Sequence, residues 1–344
     1  MRHPHHWSYA ASAGVALGLL LPCFTQAQTG NPESFYKGRN VNMIIGYSVG
    51  GGYDLYARVL SNHLGKHIPG TPTIVPQNMT GAGSAKAANY IYSVAPKDGL
   101  VIGTFSRSMA ISPLISDAKF DGTKFTWLGS VTNDVSVCIS WHTSQVKSWD
   151  DWMKTQFTAG GEGAGADPDL FAQLYKNVFG AKVKLVTGYP GTSDVVLAME
   201  RREVDGLCGI SWSTIKARHY DWVKNKQINV LVQAALQKDP DLPDVPLATE
   251  LATQPEQLQI LKLLLASQAM ARPFAAPPDL PADRKNALQT AFDKTVKDPD
   301  FLKEAETRKL DINPIPAGQI DALLKELYAT PKDILAKASR AISN

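Results

Sequence analysis

Three consecutive glycines, Gly50, Gly51 and Gly52, separate an apolar run at 41–45 from a segment whose apolar residues recur at helical spacing. This order predicts a strand, a glycine turn and a helix that begins near Asp54. Glycines leave no Cβ to block a ligand, and a helix N-terminus presents free N–H groups and the positive end of its dipole. The pattern therefore favours an anion-binding loop over the alternative, an ordinary strand-to-helix turn.

Two familiar nucleotide-binding loops do not fit these glycines. A phosphate-binding P-loop requires Lys followed by Ser or Thr after its last glycine, whereas Tyr53 and Asp54 follow Gly52 here. A dinucleotide-binding fingerprint would require a further glycine at the position of Leu55. Neither nucleotide site is therefore predicted.

The same order of strand, glycine loop and helix recurs along the chain, which predicts α/β units with parallel strands. In an open parallel sheet, ligands bind at the carboxyl ends of the strands. Two such sheets that face each other would form a cleft lined by backbone N–H donors. Five loops rich in Gly, Ser or Thr follow predicted strands: 47–54, 78–84, 103–108, 159–166 and 188–194.

Arg107 is the only basic residue in these five loops, and it follows the third predicted strand. Because a guanidinium suits bidentate recognition of a carboxylate, Arg107 is a candidate partner for a second carboxylate on a ligand. In the alternative, Arg107 points to solvent or pairs with a neighbouring acid such as Asp117. The residues alone leave both alternatives open.

The composition is that of a globular protein, since 44% of the 344 residues are hydrophobic and 19% are charged, and the length suggests two domains. The formal net charge is +3 with scattered basic residues, so we expect no binding to nucleic acid. Near the N-terminus, Arg2 precedes an apolar run at 10–21 that is too short to span a bilayer, and small residues follow at 25–27. We therefore predict a signal peptide at 1–27, a mature chain from Gln28 and export to the periplasm.

Two cysteines, Cys138 and Cys208, remain in the predicted mature chain. An oxidising compartment favours a disulfide between them, and two buried thiols are the alternative. The four histidines beyond position 27 show no metal-ligand spacing, and the sequence contains no histidine dyad. We therefore expect no catalytic residue, no metal and no cofactor.

Several short motifs follow one another along nearly the whole mature chain: 47–54 with Ala57 and Arg58, 77–83, 96–99, 188–191 with Asp194, 272–278 and 297–301. Together they resemble the Bug family, the periplasmic solute-binding receptors of tripartite tricarboxylate transporters. Tyr47-Ser48 stands where family members typically have Phe-Pro, and Met79-Thr80 stands where they have Arg-Pro. These departures concern the ligand rather than the fold, and the added hydroxyls suit a more polar or aromatic acid.

The resemblance implies an α/β, two-domain periplasmic binding protein-like fold with two doubly wound sheets, two crossing segments and a cleft between the domains. Domain 1 would be discontinuous, 28–130 plus 233–344, and domain 2 would be 131–232. A ligand carboxylate would rest on the backbone of the 47–54 loop, helped by the 159–166 and 188–194 loops. The predicted ligand-binding residues are Tyr47, Ser48, Val49, Gly50, Gly51, Gly52, Tyr53, Asp54, Ser106, Arg107, Gly161, Gly163, Tyr189, Gly191, Thr192 and Asp194.

The function implied by the resemblance is that of an extracytoplasmic solute-binding receptor, not an enzyme. It would be a monomer that captures a small organic acid, and its other partners would be the membrane subunits of a tripartite tricarboxylate-type transporter. Two other functions stay open on the sequence. One is a ligand-sensing module for a membrane signalling partner, and the other is a secreted α/β hydrolase or transferase, against which the absence of a histidine dyad counts.

Overall fold

The computed structural model describes Met1 and residues 31–343. The predicted signal peptide at 1–27 and the predicted mature start at Gln28 lie outside the described residues, Met1 apart. Among the described helices, none is long and apolar enough to cross a membrane.

The described residues form two β-sheets flanked by helices, with strands and helices that alternate along most of the chain. The strands are β1 (Asn40–Ile45), β2 (Thr73–Asn78), β3 (Val101–Thr104), β4 (Thr126–Ser130), β5 (Ser136–Trp141), β6 (Phe157–Gly160), β7 (Val183–Val186), β8 (Gly206–Ser211), β9 (Ile228–Ala234), β10 (Pro273–Ala276) and β11 (Ile315–Pro316).

One α-helix precedes the first of these strands, and the others lie between the strands or after the last of them. They are α1 (Pro32–Tyr36), α2 (Gly52–Leu64), α3 (Ala85–Asn89), α4 (Ser112–Ile115), α5 (Trp149–Lys154), α6 (Asp167–Phe179), α7 (Thr192–Glu200), α8 (Trp212–Arg218), α9 (Tyr220–Lys224), α10 (Pro255–Leu265), α11 (Ala282–Thr295), α12 (Pro299–Thr307), α13 (Ala317–Tyr328) and α14 (Lys332–Ala341). Short 3₁₀ turns at Gly65–His67, Ala82–Ser84, Arg107–Ala110 and Ala266–Met270 and a π-helical turn at Tyr90–Val94 complete the helical structure.

Both sheets mix parallel and antiparallel strands, where the alternation of elements predicts parallel ones. The first sheet has the order β11-β4-β10-β3-β1-β2, with β2, β1 and β3 parallel and β10 antiparallel to β3 and β4. The second has the order β7-β6-β8-β5-β9, with β5 antiparallel to both of its neighbours. The chain leaves the first sheet at the end of β4 and returns beside that point into β10, so β10 must run the opposite way. The predicted α/β fold with two sheets and two crossing segments is confirmed.

The two crossing segments run side by side, one after β4 and one before β10. The Arg272 N–H donates to Ser130 Oγ at 3.0 Å. The Val131 N–H donates to the Arg272 carbonyl at 3.2 Å, and the Ala271 N–H donates to the Thr132 carbonyl at 3.0 Å. These hydrogen bonds tie the outgoing and returning chains together between the sheets.

The helices that carry the glycine loops are fixed by one apolar face and by their ends. Helix α2 buries Tyr56, Val59 and Leu60 in the core of the first sheet. Helix α6 has proline in its first turn, as the sequence predicts, and it ends at Gly180, whose φ of 76° suits glycine at a C-cap. Each helix therefore begins at a fixed point beside the carboxyl end of a strand.

A disulfide joins Cys138 of β5 to Cys208 of β8, which resolves the alternative between a bridge and two thiols. The two Cα atoms are 3.9 Å apart, and both side chains are fully buried. The register of these strands shifts at Cys138, because Val137 pairs with Ile210 while Ile139 pairs with Leu207. The bridge fixes the two central antiparallel strands at this irregular point.

Loss of this bridge should lower the free energy of unfolding by about 4 kcal/mol. The cysteines are 70 residues apart, and a cross-link over such a loop restricts the unfolded chain. The measurement is urea unfolding with and without dithiothreitol, with thiol titration to show that the bond has been reduced. The double variant C138S/C208S is the control and should not respond to the reductant. Coincident wild-type curves after complete reduction would contradict the expectation.

Candidate ligand-binding cleft

The glycine loop between β1 and α2 is held in shape by Asp54 in the first turn of the helix. Its carboxylate accepts hydrogen bonds from the Gly50 N–H, the Arg58 guanidinium and the Asn78 amide, each at 2.9 Å. Burial opposes the ionisation of Asp54, but these hydrogen bonds outweigh burial and hold its pKa below the ordinary value. Asp54, a predicted ligand-binding residue, therefore fixes the loop with its carboxylate.

The glycine loop after β6 is held in the same way by Asp169 of α6. The N–H groups of Glu162 and Gly163 donate to Asp169 Oδ2 at 2.6 and 2.9 Å, and the Gly161 N–H donates to a carbonyl of β7 at 2.8 Å. According to the family resemblance, the N–H groups of this loop would help to bind a ligand carboxylate. In this closed cleft they are occupied instead, because α6 brings its own carboxylate to the loop.

The loops of the two sheets meet across the mouth of the cleft. Ser48 Oγ donates to Asp194 Oδ2 at 2.8 Å, and the Gly83 N–H donates to the Glu162 carbonyl at 3.2 Å. A Cβ at Gly191 would collide with Ser48 Oγ, so a glycine is needed for this close approach. The cleft is therefore closed, with its rim held by direct hydrogen bonds.

Arg107 lies at the floor of the cleft, 1% exposed, and links the two sheets. Its Nε donates to Asp167 Oδ2 at 2.6 Å, and its Nη2 lies 2.5 Å from the same oxygen. Nη2 also donates to Ser136 Oγ at 2.6 Å and to Ser211 Oγ at 3.5 Å. Arg107 therefore does not point to solvent. It pairs with an acid, as the alternative has it, but that acid is Asp167 of α6 and not Asp117.

A second guanidinium, that of Arg272, is buried on the other side of the cleft and is 2% exposed. Its Nη2 donates to Thr214 Oγ1 at 3.0 Å and lies 3.6 Å from Asp134 Oδ2. Its Cζ lies 4.8 Å from the ring centre of Tyr53 and 5.1 Å from that of Tyr56. Ion pairing, a hydrogen bond and two aromatic faces together hold this cation away from water.

Two tyrosines of the glycine loop fill the space between the guanidiniums. The rings of Tyr47 and Tyr53 are stacked, with centroids 4.6 Å apart. Tyr53 Oη accepts a hydrogen bond from the backbone N–H of Arg107 at 3.0 Å. Burial raises the pKa of both phenols, so both stay protonated and remain able to donate.

The cavity left between these side chains has a volume of about 20 Å³, which is room for about one water molecule. The side chains of the closed cleft therefore occupy the space in which a ligand would lie. The lining residues are Tyr47, Gly52, Tyr53, Arg107, Glu162, Asp167, Pro168, Thr192, Gly209, Ile210, Ser211, Thr214 and Arg272.

Five of the predicted ligand-binding residues line this cavity: Tyr47, Gly52, Tyr53, Arg107 and Thr192. The others form the rim, fix the loops or, like Val49 with 65% exposure, stand in solvent at a loop tip. The predicted residues outside the lining are Ser48, Val49, Gly50, Gly51, Asp54, Ser106, Gly161, Gly163, Tyr189, Gly191 and Asp194.

Five charged or polar lining residues were not predicted as ligand-binding from the sequence: Glu162, Asp167, Ser211, Thr214 and Arg272. For two of these residues, the position in the sequence indicated a possible place in the site. Asp167 directly follows a glycine loop at a helix start, and Arg272 directly precedes an apolar strand. Thr214 lies in α8, which has no glycine loop before it.

Glu162 is, with Asp167, one of two buried acids that line the cavity; it is 5% exposed, and its Oε1 accepts a hydrogen bond from Thr192 Oγ1 at 2.7 Å. Burial raises the pKa of Glu162 to about 8. The Thr192 hydrogen bond lowers this pKa, and the nearby carboxylates of Asp169, Asp167 and Asp194 raise it. Glu162 therefore keeps its proton at neutral pH while the cleft is closed.

The stability of the wild type should fall relative to Glu162→Gln as the pH rises from about 4.5 to about 8. Over this range the unfolded chain loses the proton that the folded chain keeps, whereas below it both forms are protonated. The measurement is urea unfolding of both proteins at pH values across this range. Glu203→Gln, at an exposed position, is the matched control and should follow the wild type. A difference between wild type and Glu162→Gln that does not change with pH would contradict the assignment.

Two neighbouring glycines should respond differently to the addition of a methyl group. A Cβ at Gly52 would collide with Thr214 Oγ1 and lie 3.0 Å from Arg272 Nη2, whereas a Cβ at Gly51 would meet nothing nearer than Ser193 Oγ at 3.8 Å. Gly52→Ala should therefore cost about 1–3 kcal/mol of unfolding free energy through overpacking. Gly51→Ala, the matched control, should change it by less than about 1 kcal/mol. Equal effects in denaturant unfolding would show that the loops do not meet at Gly52.

One curated protein matches part of this chain. A UPF0065 protein encoded in a gbd 5′ region of Cupriavidus necator is 33% identical over 115 residues, which is 33% of this chain and 32% of that relative. No family model matches the chain.

Solved structures match over nearly the whole described chain. The periplasmic binding protein BugD superposes with a TM-score of 0.70 at 18% identity, covering 88% of this chain and 98% of BugD. MatC from Rhodopseudomonas palustris with bound malate has a TM-score of 0.66 at 18% identity, covering 87% of this chain and 99% of MatC. At such identities the likeness is one of fold. The fold that the resemblance to the Bug family implies is therefore confirmed, because the chain shares the fold of these solved structures.

Proposed function

We propose that the chain is an extracytoplasmic solute-binding receptor that captures a small organic acid in the cleft between two domains. The observation that carries the proposal is the placement of two buried guanidiniums, Arg107 and Arg272, where the loops of the two sheets meet. Buried cations need anionic partners, and arginine is the side chain best suited to a carboxylate. The fold likeness to BugD and to MatC with bound malate supports the same class of ligand.

The cleft is formed between domain 1, at 28–130 plus 233–344, and domain 2, at 131–232. The composition of the sheets supports this division, since β5 to β9 form the second sheet and the other strands form the first. The paired crossing segments supply the hinge about which the domains would open. Opening is required because the closed cavity admits little more than a water molecule.

The cleft is proposed to bind its ligand without catalysis. Cys138 and Cys208 are bridged, so neither supplies a thiolate nucleophile. Arg107 and Asp167 already satisfy each other as an ion pair, which suits recognition of charge better than proton transfer. The receptor would act in the periplasm and deliver the acid to the membrane subunits of a tripartite tricarboxylate-type transporter.

Small organic acids should raise the melting temperature of the mature protein, because ligand at 100 times Kd adds about 2.7 kcal/mol of stability. A thermal-shift screen with mono-, di- and tricarboxylates and aromatic acids, followed by calorimetry, provides the measurement. Arg107→Ala should weaken binding of the best acid by about 2–5 kcal/mol.

The control for this screen is Arg201→Ala, which removes an exposed arginine at the end of α7 and should bind as the wild type does. If Arg107→Ala does not fold, Arg107→Lys takes its place in the test. The lysine keeps the positive charge but lacks the planar guanidinium, so this variant should bind the acid with intermediate affinity. The absence of any shift across the screen, or normal binding by both Arg107 variants, would contradict the proposed function.

A further inference from the structure

An open cavity of about 560 Å³, which we call the hinge cavity, lies beside the two crossing segments. Residues of both segments line it, at 132–135 and at 265–269. The remaining wall comes from 235–240, at the end of β9 of the second sheet, and from 311–313, before β11 of the first. The residues that line it are different from those that line the cleft cavity. The hinge cavity is therefore a separate place in the fold, with the volume of a small-molecule pocket.

Gln268 is a buried polar residue in the wall of the hinge cavity, and it is 3% exposed. Among the described residues, nothing makes a hydrogen bond to its Nε2 or its Oε1, although both atoms are buried. Its backbone is engaged, because the Asp134 N–H donates to the Gln268 carbonyl at 3.3 Å. Buried amides normally have partners, since an unpaired donor or acceptor costs free energy. The amide of Gln268 therefore indicates an occupant of the hinge cavity.

The charge of the hinge cavity is negative, since the charged residues that line it are Asp134, Asp239, Asp311 and Lys238. Three of these four have ion-pair partners outside the lining. Lys238 Nζ lies 3.0 Å from Glu250 Oε2, and Asp311 Oδ2 lies 3.0 Å from Lys216 Nζ. Asp134 Oδ2 lies 3.6 Å from Arg272 Nη2. Asp239 is left as the lining acid that makes no ion pair with any of the described residues.

The surroundings of Asp239 favour a cation beside it. Its Oδ1 accepts a hydrogen bond from the Asp241 N–H at 2.9 Å. Burial raises the pKa of Asp239, and the charges of Asp241 and Asp134 raise it further, while the Asp241 N–H and Lys216 lower it. A positive charge in the hinge cavity would therefore stabilise the ionised carboxylate.

Apolar side chains form much of the remaining wall, and they include Val135, Leu236, Leu265 and Ile312. Leu236 is 46% exposed, although leucine side chains are usually buried. A ligand with an apolar body would remove this surface from water, which is favourable. The wall therefore suits a ligand that combines a charged head with hydrocarbon.

We infer that the hinge cavity is a second ligand site, which takes a small organic cation of the alkylammonium type. The ammonium N–H groups would donate to the carboxylate of Asp239 and to Oε1 of Gln268, and the alkyl chain would cover Leu236. The inference goes beyond the proposed function, because this site lies outside the cleft and takes a ligand of the opposite charge.

The first test compares n-butylammonium with 1-butanol, two probes of equal chain length that differ in the charge of the head group. Titrations of the wild-type protein, followed by ligand-observed NMR, measure Kd for both probes. We expect the cation to bind at least about tenfold more tightly than the alcohol, because hydrogen bonds between charged groups are the stronger ones. This comparison needs no variant and so does not depend on the folding of one.

The second test locates the cation with two variants. Asp239→Asn removes the charge, and Gln268→Leu replaces an amide that has no partner by an apolar side chain of similar size, so we expect both to fold. Each should weaken the binding of n-butylammonium by at least about fivefold. The matched controls are Asp244→Asn and Gln319→Leu, both at exposed positions, and they should bind as the wild type does. Circular dichroism establishes that each variant is folded before binding is measured.

The outcomes are separate from those that test the function of the cleft. No binding of n-butylammonium, or binding no tighter than that of 1-butanol, overturns the cation site. Binding that both variants leave unchanged places the cation elsewhere and overturns the hinge cavity as its site. Binding that Asp239→Asn weakens and Gln268→Leu does not overturns the role of the Gln268 amide. An organic acid takes part in none of these measurements, so the receptor function stands or falls with its own thermal-shift screen.

Discussion

The ion pair between Arg107 and Asp167 is the interaction on which the closed cleft depends. Removing two charges from water is costly, and the cost is recovered only where each charge keeps its partner. Arg107 comes from the end of β3 in the first sheet and Asp167 from the start of α6 beside the second, so the pair exists only while the sheets are close. Ser136 and Ser211 extend the contact into β5 and β8, the two strands that the disulfide joins. The bridge thus stabilises the strands that present the guanidinium's partners.

Both glycine loops carry an internal carboxylate, and this changes what their backbone can do. Asp54 takes the Gly50 N–H on one side, and Asp169 takes those of Glu162 and Gly163 on the other. The donors that glycine loops offer to anions are therefore partly satisfied before a ligand arrives. Recognition of a charged ligand therefore depends on the buried side chains at the floor of the cleft. Among the described residues, some charged donor and acceptor atoms there have no hydrogen-bond partner.

Local features of the fold could be predicted from the sequence, and long-range pairings could not. The strand, glycine loop and α2 follow from apolar spacing within a short stretch of the chain. The antiparallel course of β10 depends on a partner strand more than 140 residues earlier in the chain. Arg107 was recognised as the one cation of the loops, but its partner Asp167 is 60 residues away, and no local spacing reveals which acid it meets.

A crystal structure with the tightest-binding acid tests the central claim most directly, because it locates the ligand carboxylate relative to the ion pair. The account predicts a carboxylate oxygen within about 3.2 Å of Arg107 Nη1, with the guanidinium still in contact with Asp167 or with a ligand group in its place. A carboxylate bound only by backbone N–H groups of the 47–54 loop, with no contact to Arg107, would contradict the account.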